Sequence, residues 1–278
     1  MNEPVLYLVG TPIGNLGDIS PRCRQVLSEV DFIAAEDTRN TLKLLNYLGI
    51  KKPLISYFEH NKRERGLEIL ERIRQGNTCA LVTDAGMPGI SDPGEDLVRL
   101  LAQEGYEVSV VPGPCALISA LVLSGLPTGR FSFQGFLSTT KKNRREQLEG
   151  VQYTKETLIF YEAPQKLRNT LSDLLTHLGD RRVALCRELT KLHETVQRGI
   201  LSQMIAYYQE NDPRGEYVVV VEGATQEKQE EAFWHKLSPA AHVDYYVETG
   251  LSKKDAIKAA ATDRGVPKSE IYNEVMKK

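Results

Sequence analysis

Residues 79–94, CALVTDAGMPGISDPG, limit what this chain can fold into more than any other stretch. The first five residues form a short apolar run suited to a strand buried on both faces. The next eleven, from Asp84 to Gly94, hold three glycines, two prolines and two aspartates. That composition excludes helix and strand, and predicts a tight loop at the strand's carboxyl end. In open α/β sheets, ligands sit in the crevice outside those ends. A loop of this kind offers a ligand its main-chain N–H and C=O groups, because few side chains stand in the way.

The same alternation recurs on either side. Residues 5–9 (VLYLV) predict a strand that runs into Gly10-Thr-Pro-Ile-Gly14. Ser20-Pro21 reads as a helix start, with serine as N-cap and proline in the first turn. A strand over 31–35 ends in Glu36-Asp37-Thr38-Arg39, and a helix over 40–48 is closed by Gly49. Further strands are predicted over 53–57 and 108–111, and helices over 63–74 and 97–103. Leu67, Ile69, Leu70 and Ile73 form the expected apolar side of the 63–74 helix. This pattern predicts an α/β domain with a mostly parallel sheet over residues 1–112. A second α/β domain with a mixed sheet is expected over 113–223. It holds an apolar helix at 117–123, strands near 131–137, 158–161, 183–186 and 195–199, and a central strand at 217–221 (YVVVV). Residues 224–250 read as a charged, Pro-interrupted linker with a short helix around Trp234. Residues 251–278 carry seven Lys/Arg against four Asp/Glu and read as helix, Gly265 turn, helix. That helix-turn-helix-like unit suits either a nucleic acid or a packing role.

The formal net charge of -2 over 278 residues excludes a polycation, so any nucleic-acid contact must come from a local patch. Cys23, Cys79, Cys115 and Cys186 are scattered, with no CxxC pair and no histidine at metal-ligand spacing. Reduced thiols and no metal site are expected. No apolar run approaches the roughly twenty residues that span a bilayer, and no leader pattern is visible. A cytoplasmic protein is the expectation.

Four loops share one character, a strand end followed by Gly/Pro: residues 10–14, 85–94, 112–115 and 162–164. If they line one cleft, it is rich in backbone groups and carboxylates and poor in cations. An anionic pyrophosphate is ordinarily met by cations or an open helix N-terminus. A ligand with a cationic centre, such as a sulfonium, suits this cleft better. A dinucleotide alternative draws on Gly10 and Gly14, with Glu36 and Asp37 about twenty residues later. It fails because Pro12 occupies the middle glycine position, where its ring blocks close backbone approach.

Together, LVGTPIGNLGDIS, AEDTR, LVTDAGMPGISDPG, VVPGPCALISAL, GLPTGRFSFQGFL, IFYEAP and RELTKLHET resemble the tetrapyrrole methylase superfamily, and within it an RNA-modifying branch. The resemblance covers residues 4–223 together with the helical tail. It implies a homodimer that binds S-adenosylmethionine between two α/β domains and methylates a cytidine ribose 2′-hydroxyl in small-subunit ribosomal RNA. The cofactor contacts it implies are Ile13, Gly14, Gly86, Met87, Ile90, Cys115, Ala116, Tyr161 and Cys186. Relatives often carry glycine where Pro12 stands, so a sparser first-loop contact is expected. Rival readings are a methyltransferase for a small tetrapyrrole and a non-catalytic ribosome-assembly or RNA-binding factor.

A ribose hydroxyl is a poor nucleophile while protonated, so a positioned base helps. The acids and the histidine at strand ends are Glu36, Asp37, His60, Glu162 and Glu188. Glu36 or Asp37 is favoured, because both follow a first-domain strand. Asp37 with Arg39, and Arg187 with Glu188, read alternatively as ion pairs, and His60 as an ordinary loop residue. Lys141, Lys142, Arg144 and Arg145 are the densest cationic cluster for RNA phosphates. Arg39, Lys166 and Arg187 are expected to add charge at the cleft mouth. Phe131, Phe133 and Phe136 alternate as core residues.

Overall fold

Two sheets carry the chain, and the first is fully parallel. The computed structural model describes residues 3–225, 234 and 237–276. Strands β1 (Leu6–Val9), β2 (Phe32–Ala35), β3 (Leu54–Ser56), β4 (Cys79–Val82) and β5 (Val108–Val111) lie in the order β3-β2-β4-β1-β5. Helices α1 (Pro21–Glu29), α2 (Thr38–Leu48), α3 (Lys62–Arg74) and α4 (Gly94–Gln103) cover the two faces. Local chemistry sets their ends. The Ser20 hydroxyl accepts from the Cys23 amide with Pro21 behind it, and α2 stops at Gly49 in the left-handed region (φ 71°). In α3 the buried face is Ile69, Leu70 and Ile73. Leu67, expected beside them, is 57% exposed, because it falls on the solvent side of that turn.

The strand order also fixes where a ligand can enter. From β1 the chain moves two places toward β2, and from β4 it moves two places the other way, toward β5. The crevice between the carboxyl ends of β1 and β4 is therefore the topological switch point.

The second sheet comprises β6 (Phe131–Phe136), β7 (Thr157–Glu162), β8 (Arg182–Arg187), β9 (Thr195–Ile200) and β10 (Tyr217–Val221), in the order β6-β7-β10-β8-β9. Only β6 and β7 pair in parallel. Strand β10 is central, and its residues alternate between two cores. Tyr217, Val219 and Val221 face a layer built with α6 (Lys141–Val151), α7 (Pro164–Leu178) and α8 (Leu201–Glu210). Val218 and Val220 face α5 (Ala116–Ser124) together with Ile13 from the loop after β1. Burial of one such valine stabilises by roughly 1.5–3 kcal/mol, so this double-sided strand anchors the second sheet. The basic segment, for which the sequence predicts no regular element, opens α6. The phenylalanines do not all pack inward. Phe131 is 41% and Phe136 56% exposed, because β6 is an edge strand with a bulge between Phe133 and Gly135.

Residues 224–278 form a separate compact unit. Residues 239–248, expected within a linker, form helix α9 (Pro239–Glu248), started by Ser238 and Pro239. It joins α10 (Lys253–Arg264) and α11 (Lys268–Met276) around Val243, Ala256, Ile257, Ala260 and Ile271. Among the described residues the unit thus holds the expected pair over 251–278 with its Gly265 turn, and one helix more before it. The short helix expected around Trp234 lies, apart from Trp234 itself, outside the described residues.

Candidate functional site

Loops after β1, β4 and β5 are stitched together at the switch point. Thr11 N–H donates to the Gly86 carbonyl at 2.9 Å, and Gly86 N–H returns the bond to Thr11 at 3.1 Å. Gly10 and Gly113 touch: a Cβ at Gly113 would lie 2.8 Å from the Gly10 carbonyl oxygen, closer than atoms tolerate. The Gly113 N–H points at the Met87 sulfur, 3.2 Å away. Asp92 holds the β4 loop in shape by accepting from the amides of Gly89, Ile90 and Gly94. Its loop neighbour Ser91 sits at φ 65°, a strained value for a side chain of its kind.

These loops form one wall of a cleft of about 350 Å³, and strand ends of the second sheet form the other. Six carboxylates line it (Glu36, Asp84, Asp92, Glu162, Glu188 and Glu216) against one ammonium, Lys191. Apolar surface comes from Ile13, Met87, Ile90, Ala116, Tyr161 and Cys186. Those are six of the nine residues named for the cofactor. The other three sit elsewhere. Gly86 makes the bridge to Thr11, Cys115 is the N-cap of α5, and Gly14 faces an adjoining groove under the Lys191 side chain. Burial pushes the Tyr161 phenol up to about 12 and the Cys186 thiol up to about 11, so both stay neutral.

Electrostatics separates the acids proposed as bases. Burial, the largest influence, pushes the Glu36 carboxyl above the ordinary glutamate range, and the charges of Asp84, Asp92 and Asp37 push the same way. The Asp84 amide opposes this only in part, donating to Glu36 Oε2 at 3.3 Å. Burial also opposes the charge of Glu188, but the Glu216 amide at 2.9 Å and Lys191 Nζ at 3.0 Å outweigh it and hold that carboxyl low. Glu188 is therefore a poor proton acceptor although it lines the cleft. Asp37 turns away from the cleft as the N-cap of α2, and its bonds to Arg39 hold it at about 2. His60 is exposed in the loop before α3 and does not line the cleft. Glu162 lines it, 3% exposed, with Thr170 Oγ1 donating to one oxygen and the Ala163 N–H to the other.

The cationic residues divide as well. Lys141, Arg144, Arg145 and Lys166 line a second groove, of about 580 Å³, between α6 and α7, with His177 and a single acid, Asp173. Arg144 is committed internally, to Asp173 and to Thr170 Oγ1, the same hydroxyl that binds Glu162. Arg145 pairs with Glu149 at 3.0 Å, whereas Lys142 is 84% exposed and only 3.9 Å from Glu146. Arg39 is 86% exposed and bound to Asp37. The Arg187 Nε is buried and without a hydrogen-bond partner among the described residues. The reading from sequence missed Asp84, Asp92, Lys191 and Glu216 as cleft residues. The first two stand inside the quoted loop, and Glu216 directly precedes the YVVVV strand.

A profile of the Tetrapyrrole (Corrin/Porphyrin) Methylases matches residues 5–205, so the chain belongs to the tetrapyrrole methylase family. In more detail, it is 51% identical over 273 residues to "Ribosomal RNA small subunit methyltransferase I" of Halalkalibacterium halodurans, covering 98% of this chain and 94% of that one. A protein of the same name from Thermotoga maritima is 49% identical over 218 residues, covering 98% of its own length but 78% of this chain. Among solved structures, diphthine synthase superposes with a TM-score of 0.61 at 14% identity, covering 80% of this chain and 91% of that one. Uroporphyrin-III-C-methyltransferase from Thermus thermophilus superposes with a TM-score of 0.56 at 19% identity, covering 77% and 93%.

The methyl donor of this family is S-adenosylmethionine, and the cleft's chemistry fits it. Six carboxylates against one lysine favour a cationic ligand, the volume suits a small molecule, and the rim offers backbone amides and carbonyls. Among the described residues no cluster of His, Cys, Asp and Glu could hold a metal ion, and no helix is long and apolar enough to cross a membrane.

Proposed function

We propose that this chain methylates small-subunit ribosomal RNA at the 2′-hydroxyl of a cytidine, with S-adenosylmethionine as donor. The near-full-length similarity to a relative named as a small-subunit ribosomal RNA methyltransferase supports the RNA part of this reading, the family resemblance implies the cytidine 2′-hydroxyl, and Glu36 supplies the chemistry. Ile13, Met87, Ala116 and Tyr161 would hold the cofactor, and the surrounding acids would balance its positive centre. When bound, the cofactor supplies a methyl group already activated for in-line displacement. What remains for the protein is alignment and proton removal.

Glu36 takes the hydroxyl proton. Its raised basicity suits that task better than Glu188, held low by Lys191, or Asp37, neutralised by Arg39. An acid-lined cleft repels phosphates, so the RNA backbone must be held outside it. The groove containing Lys141, Arg145 and Lys166 is the cationic surface suited to that, and it is one for which a small tetrapyrrole acceptor would have no use. The protein works in the cytoplasm as a homodimer, as its family resemblance implies.

The test is transfer of labelled methyl from S-adenosylmethionine to small ribosomal subunits that lack the modification, followed by nucleoside analysis. Label in 2′-O-methylcytidine is expected. Label on a base, or cofactor binding without transfer to any RNA, would overturn the proposal.

A further inference from the structure

A groove of about 380 Å³ opens beside the cleft and shares Ile13, Thr83, Asp84, Ala85, Lys191 and Glu216 with it. Its outer wall is α2, which contributes Asn40, Lys43, Leu44 and Tyr47. The mechanism above makes no use of these four. Three polar side chains there form an ordered chain. Lys43 Nζ donates to Asn40 Oδ1 at 3.4 Å, and Asn40 Nδ2 donates to Asp84 Oδ2 at 3.2 Å. The Asn40 amide is thereby oriented, with one N–H left over, and Asp84 keeps its Oδ1 available. One donor beside one acceptor complements the amide or amidine edge of a nucleobase. Tyr47, 63% exposed on the same wall, offers an aromatic surface of the kind on which unstacked bases settle. The Asp84 main-chain N–H also binds Glu36, so this pair is tied to the carboxylate that faces the cleft.

The geometry points to a nucleobase subsite: one unstacked base of the acceptor RNA lies in this groove, its edge on Asn40 and Asp84 and its face against Tyr47, while its ribose reaches Glu36. This rests on the RNA-methyltransferase reading. It assigns target selection to α2, the helix that follows the strand bearing Glu36. A base drawn out of a helix also brings its own ribose away from the stack, which is the geometry a ribose methyltransferase needs.

The experiment compares the wild type with Asn40→Ala, Asn40→Asp and Tyr47→Ala in methyl transfer to unmethylated small subunits. Each is assayed with the native target nucleotide and with the other pyrimidine in its place. Cofactor affinity is measured in parallel by calorimetry and reports on folding, since Asn40 and Tyr47 are both exposed. Asn40→Ala and Tyr47→Ala should raise the KM for RNA about tenfold, the scale of a single hydrogen bond or stacked base, with cofactor affinity unchanged. Asn40→Asp exchanges a donor for an acceptor and should change the ratio of kcat/KM between the two pyrimidines more than Asn40→Ala does. Wild-type transfer with KM and pyrimidine ratio unaltered in all three variants would remove the subsite alone. Absence of transfer to RNA by the wild type would remove the enzymatic reading, and the subsite with it.

Discussion

The cleft at the switch point and the groove between α6 and α7 lie in one compact unit yet carry opposite charge. The cleft has six carboxylates to one ammonium, whereas the groove gathers Lys141, Arg144, Arg145, Lys166 and His177 around a single aspartate. A protein that joins a cationic donor to a polyanionic acceptor has to keep the two attractions apart, and the proposed function assigns one to each surface. The two surfaces are not independent. Arg144 donates to Thr170, and Thr170 donates to Glu162 at the cleft wall, so one hydroxyl connects the basic helix with the acidic site.

The strongest way to break the contrast is to remove the cleft's base. Glu36→Gln should lower kcat by about 10²–10⁴-fold and weaken cofactor binding far less, since five of the six cleft carboxylates remain, as read by steady-state kinetics and calorimetry. Because the folded protein holds Glu36 above the ordinary range, the active carboxylate form is lost as pH falls, and lost at a higher pH than for a free glutamate. The acid limb of the wild-type kcat/KM profile, which reports the free enzyme, should therefore lie above the ordinary glutamate value of about 4.3 and disappear in Glu36→Gln. An acid limb that survives in the variant would assign the proton to another group.

Next in size comes the groove. The triple variant Lys141→Ala, Arg145→Ala, Lys166→Ala should bind RNA more weakly. The slope of log affinity against log salt should become shallower by about 0.7–0.9 for each phosphate that is no longer neutralised. An unchanged slope would take the groove out of the RNA interface. Removal of residues 224–278 should leave cofactor affinity unchanged, since every described residue that lines the cleft lies within residues 1–223. The cut belongs at 223/224 rather than before residue 251, because α9 shares its core with the last two helices. Loss of cofactor binding in the truncated chain would make that unit part of the site. Least affected should be Arg39→Ala, which opens an exposed pair beyond the cleft. No change in melting temperature or turnover is expected, and a turnover defect would return Asp37 to consideration.

Most of the framework was legible because its signals are local. Apolar runs leading into Gly/Pro loops marked β1, β4 and β5, and Ser20-Pro21, Gly49 and Gly265 marked helix ends through chemistry that involves only neighbours. Helix α6 escapes a reading by apolar pattern because KKNRREQLEGV has too few apolar residues to make a stripe, with only Leu148 fully buried. Its sign was the charge spacing instead, Arg145 to Glu149 and Lys142 to Glu146. Helix α9 is hidden by Pro239, which looks like an interruption, although Ser238-Pro239 repeats the start signal of Ser20-Pro21. Which of Glu36 and Asp37 faces the cleft turned on one event, the capping of α2 by Asp37, which leaves Glu36 on the cleft side. The commitment of Arg144 to Asp173 and Thr170, 29 and 26 residues away, depended on tertiary packing that no local pattern encodes.

The most direct test of the central claim is a crystal structure with S-adenosylmethionine bound. The account predicts the cofactor in the acid-lined cleft, against Ile13, Met87, Ala116 and Tyr161, with its methyl group on the side of Glu36. Density for it in the α6–α7 groove, or in the cleft with the methyl turned away from Glu36, would contradict the account.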